Sequence, residues 1–239
     1  MAWHILLISN STLYGHGYLD HVENEIRDIL GSARHVLFFP YALHDRDGYA
    51  AKAADRFAAM GYEMSSAHAE SDPQKAVAKT DAIFVGGGNT FRLLKALQDL
   101  GWIEPIRKRV REGAPYIGSS AGSNVAGPTI KTTKDMPIVQ PRSFDALGLV
   151  PFQISPHFQD SDPSSTHMGE TQEERILQFL EENETPVLGM REGAWVRVEN
   201  GSVLLKGSKG ARIFRRGKVP MEAAPGDEIS ELVGAPDGK

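Results

Sequence analysis

The sequence of 239 residues contains no cysteine. The chain therefore has no disulfide bond, no thiolate ligand for a metal ion and no cysteine nucleophile. If the protein catalyses a reaction through a covalent intermediate, serine is the natural candidate for the attacking side chain.

The sequence also lacks an excess of positive charge and a long apolar run. Its formal net charge is −5, and charged residues of both signs are interspersed. This argues against a nucleic-acid partner, because nucleic-acid-binding proteins carry a basic stripe. No apolar run approaches the roughly 20 residues of a membrane span, and no basic leader precedes the first run at residues 3–8. We therefore expect a cytoplasmic protein with neither a nucleic-acid nor a membrane partner.

No set of potential metal ligands has a recognised spacing. The nearest approach is His44-Asp45-Arg46-Asp47, which is more typical of a solvated loop that leads into the next helix. We therefore expect a protein that works without a metal ion or a cofactor.

Short apolar runs alternate with segments of helical periodicity, which predicts an α/β fold. The clearest runs are residues 36–39, 82–85 and 186–190. Runs that are apolar throughout are typical of a parallel sheet that helices cover on both faces. From Trp195 the pattern changes to alternation around an Asn200-Gly201 turn, which predicts a small antiparallel C-terminal appendage at the sheet edge.

The chain is predicted to form one domain. Its hydrophobic content of 41% can supply one sizeable core, and no interdomain linker is evident, so we expect residues 1–239 to fold as a single α/β unit. The appendage would extend through residues 211–214. The tail from about residue 217 is rich in proline, glycine and acidic residues and is predicted to be loosely held.

Ser120 lies in the arrangement Gly118-Ser119-Ser120-Ala121-Gly122, which follows an apolar run at residues 114–117. The G-x-S-x-G pattern is that of a nucleophile elbow, a sharp turn from a strand to a helix. Such a turn holds the hydroxyl clear of the backbone, beside amide N–H groups that can stabilise an oxyanion. A small-residue surface turn would have the same composition.

A second glycine-rich turn follows the apolar run at residues 82–85. It reads Gly86-Gly87-Gly88, with Asn89 suited to capping the next helix. Ligands of parallel sheets gather at the carboxyl ends of the strands, where this turn and Ser120 would both lie. We therefore expect a second oxyanion donor from Gly87 or Gly88.

His157 follows a short predicted strand and Pro156. A serine hydroxyl is a weak nucleophile until a base takes its proton, so a histidine at a strand's carboxyl end is a plausible base for Ser120. A lone histidine that only caps a loop is the alternative.

Five motifs, in this order, resemble those of the peptidase E family of α-aspartyl dipeptidases: Gly86-Gly87-Gly88-Asn89-Thr90, Tyr116-Ile117-Gly118-Ser119-Ser120-Ala121-Gly122, Lys134-Asp135-Met136-Pro137-Ile138-Val139, Ser155-Pro156-His157-Phe158 and Gly169-Glu170-Thr171. The opening segment Leu7-Ile8-Ser9-Asn10-Ser11 fits as well. The resemblance extends from the first strand to about Ser202 and covers little of the tail.

The resemblance implies a serine peptidase on a class I glutamine-amidotransferase-like (flavodoxin-like) α/β fold. It would hydrolyse dipeptides with an N-terminal aspartate (Asp-Xaa) through an acyl-enzyme, without a metal ion. By matching motifs, Ser120 is the nucleophile, His157 its base, and the N–H groups of Gly88 and Ala121 the oxyanion donors. Asn89 is assigned to substrate binding. The sequence does not decide between a monomer and a homodimer.

The acidic partner of His157 is left open between Asp135 and Glu192, which both lie in family motifs. Asp135 comes between nucleophile and base in the chain, but the order of triad members varies among enzymes. Glu192 follows a buried strand and precedes Gly193, a fixed position suited to orienting an imidazole, and we lean toward it. The other acid would order a loop or contact the substrate amine.

Arg175 is the candidate for reading the substrate's side-chain carboxylate, which needs a cationic partner. By resemblance, family members often carry an additional arginine where Gln172 stands here, and this departure bears on how strictly aspartate is preferred. A solvated helix charge is the alternative for Arg175.

Two other functions compete with the aspartyl dipeptidase. One is a cyanophycinase-like peptidase that cuts β-aspartyl bonds, since that family shares the elbow on a related fold. The other is a catalytically silent binding protein, which intact Ser120 and His157 disfavour.

Overall fold

The structure is a computed structural model that describes residues 3–232 except 163, 165 and 167. Its strands are β1 (His4–Ile8), β2 (His35–Phe39), β3 (Glu63–Ser66), β4 (Ala82–Val85), β5 (Tyr116–Ser119), β6 (Gln153–Ser155), β7 (Val187–Met190), β8 (Ala194–Glu199), β9 (Ser202–Gly207), β10 (Ala211–Phe214) and β11 (Met221–Ala223). Its helices are α1 (Glu23–Leu30), α2 (Arg46–Ala59), α3 (Pro73–Ala78), α4 (Thr90–Asp99), α5 (Ile103–Arg111), α6 (Ala121–Asn124) and α7 (Gln172–Glu182).

A large sheet of seven strands forms the centre of the molecule, in the order β3-β2-β4-β5-β1-β8-β9. The first five strands in this order run parallel, β8 pairs antiparallel with β1, and β9 pairs antiparallel with β8. Side chains of β1 alternate between two apolar layers: Ile5 and Leu7 join one, and Leu6 and Ile8 join the other. Both faces of the sheet are therefore buried, which confirms the predicted parallel α/β class.

The parallel strands bring their carboxyl ends to one edge of the sheet. Ser9 follows β1 there, Gly86 follows β4 and Ser120 follows β5. The N–H of Ser120 donates to the Ile8 carbonyl oxygen at 2.9 Å, so the end of β1 fixes where the next strand turns. The glycine-rich turn and the predicted elbow are consequently neighbours.

A second sheet has four strands, in the order β11-β10-β7-β6. Strands β6 and β7 are parallel, whereas β10 pairs antiparallel with both β7 and β11. The predicted antiparallel strands are therefore confirmed, but residues 211–214 belong to the second sheet and not to the edge of the large one. Those residues leave the hairpin because Ile213 pairs with Leu188 and both side chains are buried in the main core.

The described part of the tail is packed, in contrast to the loose tail that its composition predicts. Residues 221–223 form β11, and Ile229 and Leu232 are buried. Backbone bonds also join residues 226–229 to β9, among them Ile229 N–H to Val203 O at 2.8 Å. Residues 233–239 lie outside the described residues, as do three positions in the predicted loop at 160–168. Within the described ranges, no helix has the length and apolarity that crossing a bilayer requires.

Candidate active site

Ser120 sits on a strained turn between β5 and α6. Its φ is 53° and its ψ is −110°, in a region that residues with side chains rarely adopt. A Cβ on Gly118 would lie 2.5 Å from the Gly122 carbonyl oxygen, and one on Gly122 would lie closer still to that of Val85. Both glycines are therefore required by close backbone approach, which is the structural content of the G-x-S-x-G pattern.

His157 faces Ser120 from the loop that follows β6. The Oγ of Ser120 lies 2.8 Å from the Nε2 of His157. His157 also has a left-handed backbone, with φ at 54°. Its N–H donates to Ser9 Oγ at 2.9 Å, and its carbonyl oxygen accepts from Lys134 Nζ at 2.7 Å. The unusual backbone of His157 is thus held by one hydrogen bond at its N–H and another at its carbonyl oxygen.

The structure separates the two acids that the sequence left open. The Oε1 of Glu192 lies 2.7 Å from His157 Nδ1. Asp135 instead accepts from the N–H of Thr90 at 2.7 Å and from its hydroxyl at 2.6 Å, at the start of α4. With a carboxylate at Nδ1, the neutral imidazole carries its proton there and leaves Nε2 free to accept from Ser120. Asp135 orders the loop that crosses the start of α4.

Two buried polar residues at the end of β1 hold the His157 and Glu192 loops, although the sequence indicated them only as part of a family motif and gave them no role. Besides accepting from His157 N–H, Ser9 Oγ donates to the Met190 carbonyl oxygen at 2.9 Å. Asn10 Oδ1 accepts from Gly193 N–H at 2.7 Å. The available signal was two polar residues directly after an apolar strand at the catalytic edge of the sheet.

The glycine-rich turn lies against the elbow. A Cβ on Gly87 would be 3.0 Å from Ser120 Cβ. Gly87 N–H donates to Tyr49 Oη at 2.9 Å, and burial raises the pKa of Tyr49, so this phenol remains neutral. Among the described residues, no hydrogen bond uses the Gly88 N–H, and Ala121, the first residue of α6, has no partner within that short helix. These two N–H groups are the available donors.

Asn89 caps α4, since its Oδ1 accepts from Arg92 N–H at 3.0 Å. Its Nδ2 donates to the Met136 carbonyl oxygen at 2.9 Å. In this structure Asn89 therefore uses one polar group to cap α4 and the other to hold the loop at Met136.

Arg175 lies on α7 and is 59% exposed, with its Nε 3.7 Å from Glu170 Oε2. It lines a cavity of about 160 Å³ together with Lys134, Gln172 and Ser155. Lys134 was not among the predicted site residues. It is exposed at the rim of the cleft, but the groups around its ammonium partly shield it from water. This shielding is the main reason that its pKa is lowered, and Asp135 and Glu192 oppose the shift.

The segment at residues 44–47 forms a loop and the start of α2, as the sequence predicted. Asp45 caps the helix by accepting from Gly48 N–H at 2.9 Å. In the part of the chain that the structure describes, no group of three or more histidine, aspartate or glutamate residues is arranged to hold a metal ion.

Comparisons with known proteins agree with the resemblance seen in the sequence. The model of peptidase family S51 matches residues 5–206. Peptidase E of Streptomyces coelicolor is 52% identical over 229 residues, which cover 96% of this chain and 94% of that protein. A Drosophila melanogaster protein named "Probable alpha-aspartyl dipeptidase" is 44% identical over 235 residues, or 97% of this chain and 98% of that one.

A crystal structure of a peptidase from an acI-B1 actinobacterium has the same fold. Its TM-score is 0.72 at 15% identity, and the match covers 96% of this chain and 97% of that chain. At this identity the likeness concerns the fold alone.

Proposed function

Since this chain belongs to peptidase family S51 and is a serine peptidase, we propose that it hydrolyses dipeptides whose N-terminal residue is aspartate. The names of its relatives, peptidase E and probable alpha-aspartyl dipeptidase, support this substrate class. The relatives are matched over nearly their whole length, so the comparison involves the entire domain.

The observation that carries the mechanism is one line of contacts from Ser120 Oγ through the His157 ring to Glu192, at 2.8 and 2.7 Å. We propose that Ser120 attacks the dipeptide carbonyl while His157 Nε2 takes the hydroxyl proton. Glu192 stabilises the imidazolium that forms. The tetrahedral oxyanion would accept hydrogen bonds from the N–H groups of Gly88 and Ala121.

Collapse of this intermediate completes acylation. His157 gives its proton to the leaving nitrogen, the C–N bond breaks, and aspartate remains esterified to Ser120. A water molecule then attacks the ester while His157 again takes a proton. The proton returns to Ser120 as aspartate leaves, so the enzyme is regenerated with both charge and atoms balanced.

The substrate also carries an α-ammonium group and a side-chain carboxylate. We assign the ammonium to Asp135, the acid that bonds Thr90 and does not contact the His157 ring. The carboxylate needs a cation, and Arg175 on α7 is available for it. Gln172 is neutral, and its Oε1 already accepts from Gln159 N–H at 2.9 Å, so we do not assign it to the carboxylate.

The test is a substrate panel combined with a paired serine exchange. We expect the purified protein to cleave Asp-Leu much faster than Ala-Leu or β-Asp-Leu, and Ser120→Ala to lower kcat by roughly 10⁴-fold or more. Ser119→Ala is the matched control. Its hydroxyl is buried beside Ser120 but makes no hydrogen bond among the described residues, so its loss should leave turnover nearly unchanged.

Three outcomes would contradict this proposal. Faster cleavage of β-Asp-Leu would indicate a β-aspartyl peptidase. Full activity of Ser120→Ala would remove the proposed nucleophile. A well-folded wild-type protein that cleaves none of the three dipeptides would favour a catalytically silent binding protein.

A further inference from the structure

The cavity beside His157 contains the positive charge of Lys134, to which the proposed mechanism assigns no role. It is lined by Lys134 and Arg175, and by the neutral Gln172 at the start of α7. Ser155 also lines it, two residues before His157 in the chain. The cavity therefore adjoins the catalytic histidine.

Lys134 places its ammonium at the backbone of the proposed base. Its Nζ donates to the His157 carbonyl oxygen at 2.7 Å. Among the described residues, no carboxylate lies within 4 Å of this ammonium. The nearby acids are engaged elsewhere, Glu192 with the His157 ring and Asp135 with Thr90. The positive charge of Lys134 is therefore available to an anion that enters the cleft.

The other groups of the cavity are less able to balance a buried carboxylate alone. Arg175 is 59% exposed and already has Glu170 at 3.7 Å. Gln172 carries no charge. A carboxylate removed from water without a close cation is strongly destabilised, because its hydration is lost and nothing replaces it.

We propose that Lys134 is a specificity-determining residue whose ammonium binds the side-chain carboxylate of the N-terminal aspartate, with Arg175 as the second cation. This inference rests on the proposed function and deepens it. An ammonium has three donors, so Lys134 can keep its bond to His157 while it binds substrate. The Lys134 side chain would then both bind the substrate carboxylate and hold the backbone of His157.

The experiment compares Asp-Leu with Asn-Leu, whose side chain has nearly the same shape but no charge. We expect Lys134→Met to lower kcat/KM for Asp-Leu by about 10²-fold, mainly through KM, and to change kcat/KM for Asn-Leu by less than about 3-fold. Lys134→Arg should retain most of the preference for aspartate, because it restores a cation. Lys79→Met is the matched control, since Lys79 is an exposed lysine just before β4, at the opposite edge of the sheet.

Other results would overturn the inference. An equal fall for both substrates would mean that Lys134 only holds the His157 backbone, and Lys134→Gln, which keeps a donor, would then restore activity. No change for either substrate, with Arg175→Met alone abolishing the preference, would make Arg175 the sole cation. If the wild-type protein does not cleave Asp-Leu, both the proposed function and this inference fail. If it does, only the Lys134 variants decide.

Discussion

At the scale of single residues, the hydroxyl of Ser9 connects the loops that carry the proposed base, His157, and its proposed acid, Glu192. It accepts from His157 N–H and donates to the carbonyl of Met190, two residues before Glu192. Ser9 is fully buried, so water does not compete for these bonds. The side chain of Ser9 therefore fixes the backbone on both sides of the His157–Glu192 contact, although Glu192 itself is 55% exposed.

Exchange of the two acids should have different kinetic effects. We expect Glu192→Gln to lower kcat by about 10²-fold or more with little change in KM, because a neutral amide does not stabilise the imidazolium that forms in the transition state. Asp135→Asn should act mainly on KM and on thermal stability, since it weakens the bonds that hold the loop to Thr90. Steady-state kinetics with Asp-Leu and thermal unfolding of both variants make the comparison. The reverse pattern would assign the triad role to Asp135.

The sequence predicted the types of residue at the site better than their pairing. Ser120 and His157 could be singled out because a strained elbow and a histidine after a strand are local patterns. The choice between Asp135 and Glu192 depends on how two loops fold over the sheet, which no local pattern encodes. Lys134 was missed for the same reason, since its contact with His157 joins positions 23 residues apart.

At the scale of helices and strands, α7 begins with a capping box. Thr171 Oγ1 accepts from Glu174 N–H at 3.2 Å, and Glu174 Oε2 accepts from Thr171 N–H at 2.6 Å. Only Ile176 and Leu180 of this helix are buried. A helix with little buried apolar surface gains proportionally more from such a capping box.

Removal of the cap should therefore loosen α7 without unfolding the protein. We expect Thr171→Ala to cost about 1 kcal/mol locally, to speed amide exchange within α7 and to raise KM for Asp-Leu, because Arg175 lies on this helix. Thr171→Ser keeps the hydroxyl and should behave as the wild type. Hydrogen exchange read by mass spectrometry checks the first effect, and unchanged exchange in α7 would show that packing alone holds the helix.

The sequence predicted the ranges of those strands that the hydrophobic pattern marks clearly. Strands β2 and β4 lie at or within one residue of the predicted apolar runs, since each is a short pattern with clear ends. The strand pairing of β10 with β7 was missed, because it joins residues more than twenty positions apart and two sheets could have accepted the strand.

For the molecule as a whole, the proposed nucleophile and its proposed partners come from different sheets. Ser120 follows β5 of the large sheet, whereas His157 and Glu192 follow β6 and β7 of the small one. The sheets share one continuous core, in which Leu7 and Leu188 are both fully buried. The single domain expected from the sequence stays a prediction, and this shared core is the reason to keep it.

We therefore expect both sheets to unfold together. As urea is raised, Asp-Leu hydrolysis and tryptophan fluorescence should fall in one coincident transition, because a shared core links the two sheets cooperatively. The fluorescence reports the large sheet, since Trp195 lies on β8 and Trp102 packs in the layer beside β2. Loss of activity at clearly lower urea, with fluorescence unchanged, would instead identify the small sheet as a separate unfolding unit.

The pairing of residues 226–229 with β9 has a consequence for the behaviour of the protein in concentrated solution. Strand β9 ends the large sheet on one side, and an uncovered edge strand offers its free N–H and C=O groups to other copies. The opposite edge, β3, has only four residues and begins with exposed Glu63, which itself discourages pairing. We therefore expect residues 226–229 to protect the β9 edge from aggregation. Their removal should lower the solubility of the protein before it lowers catalytic activity.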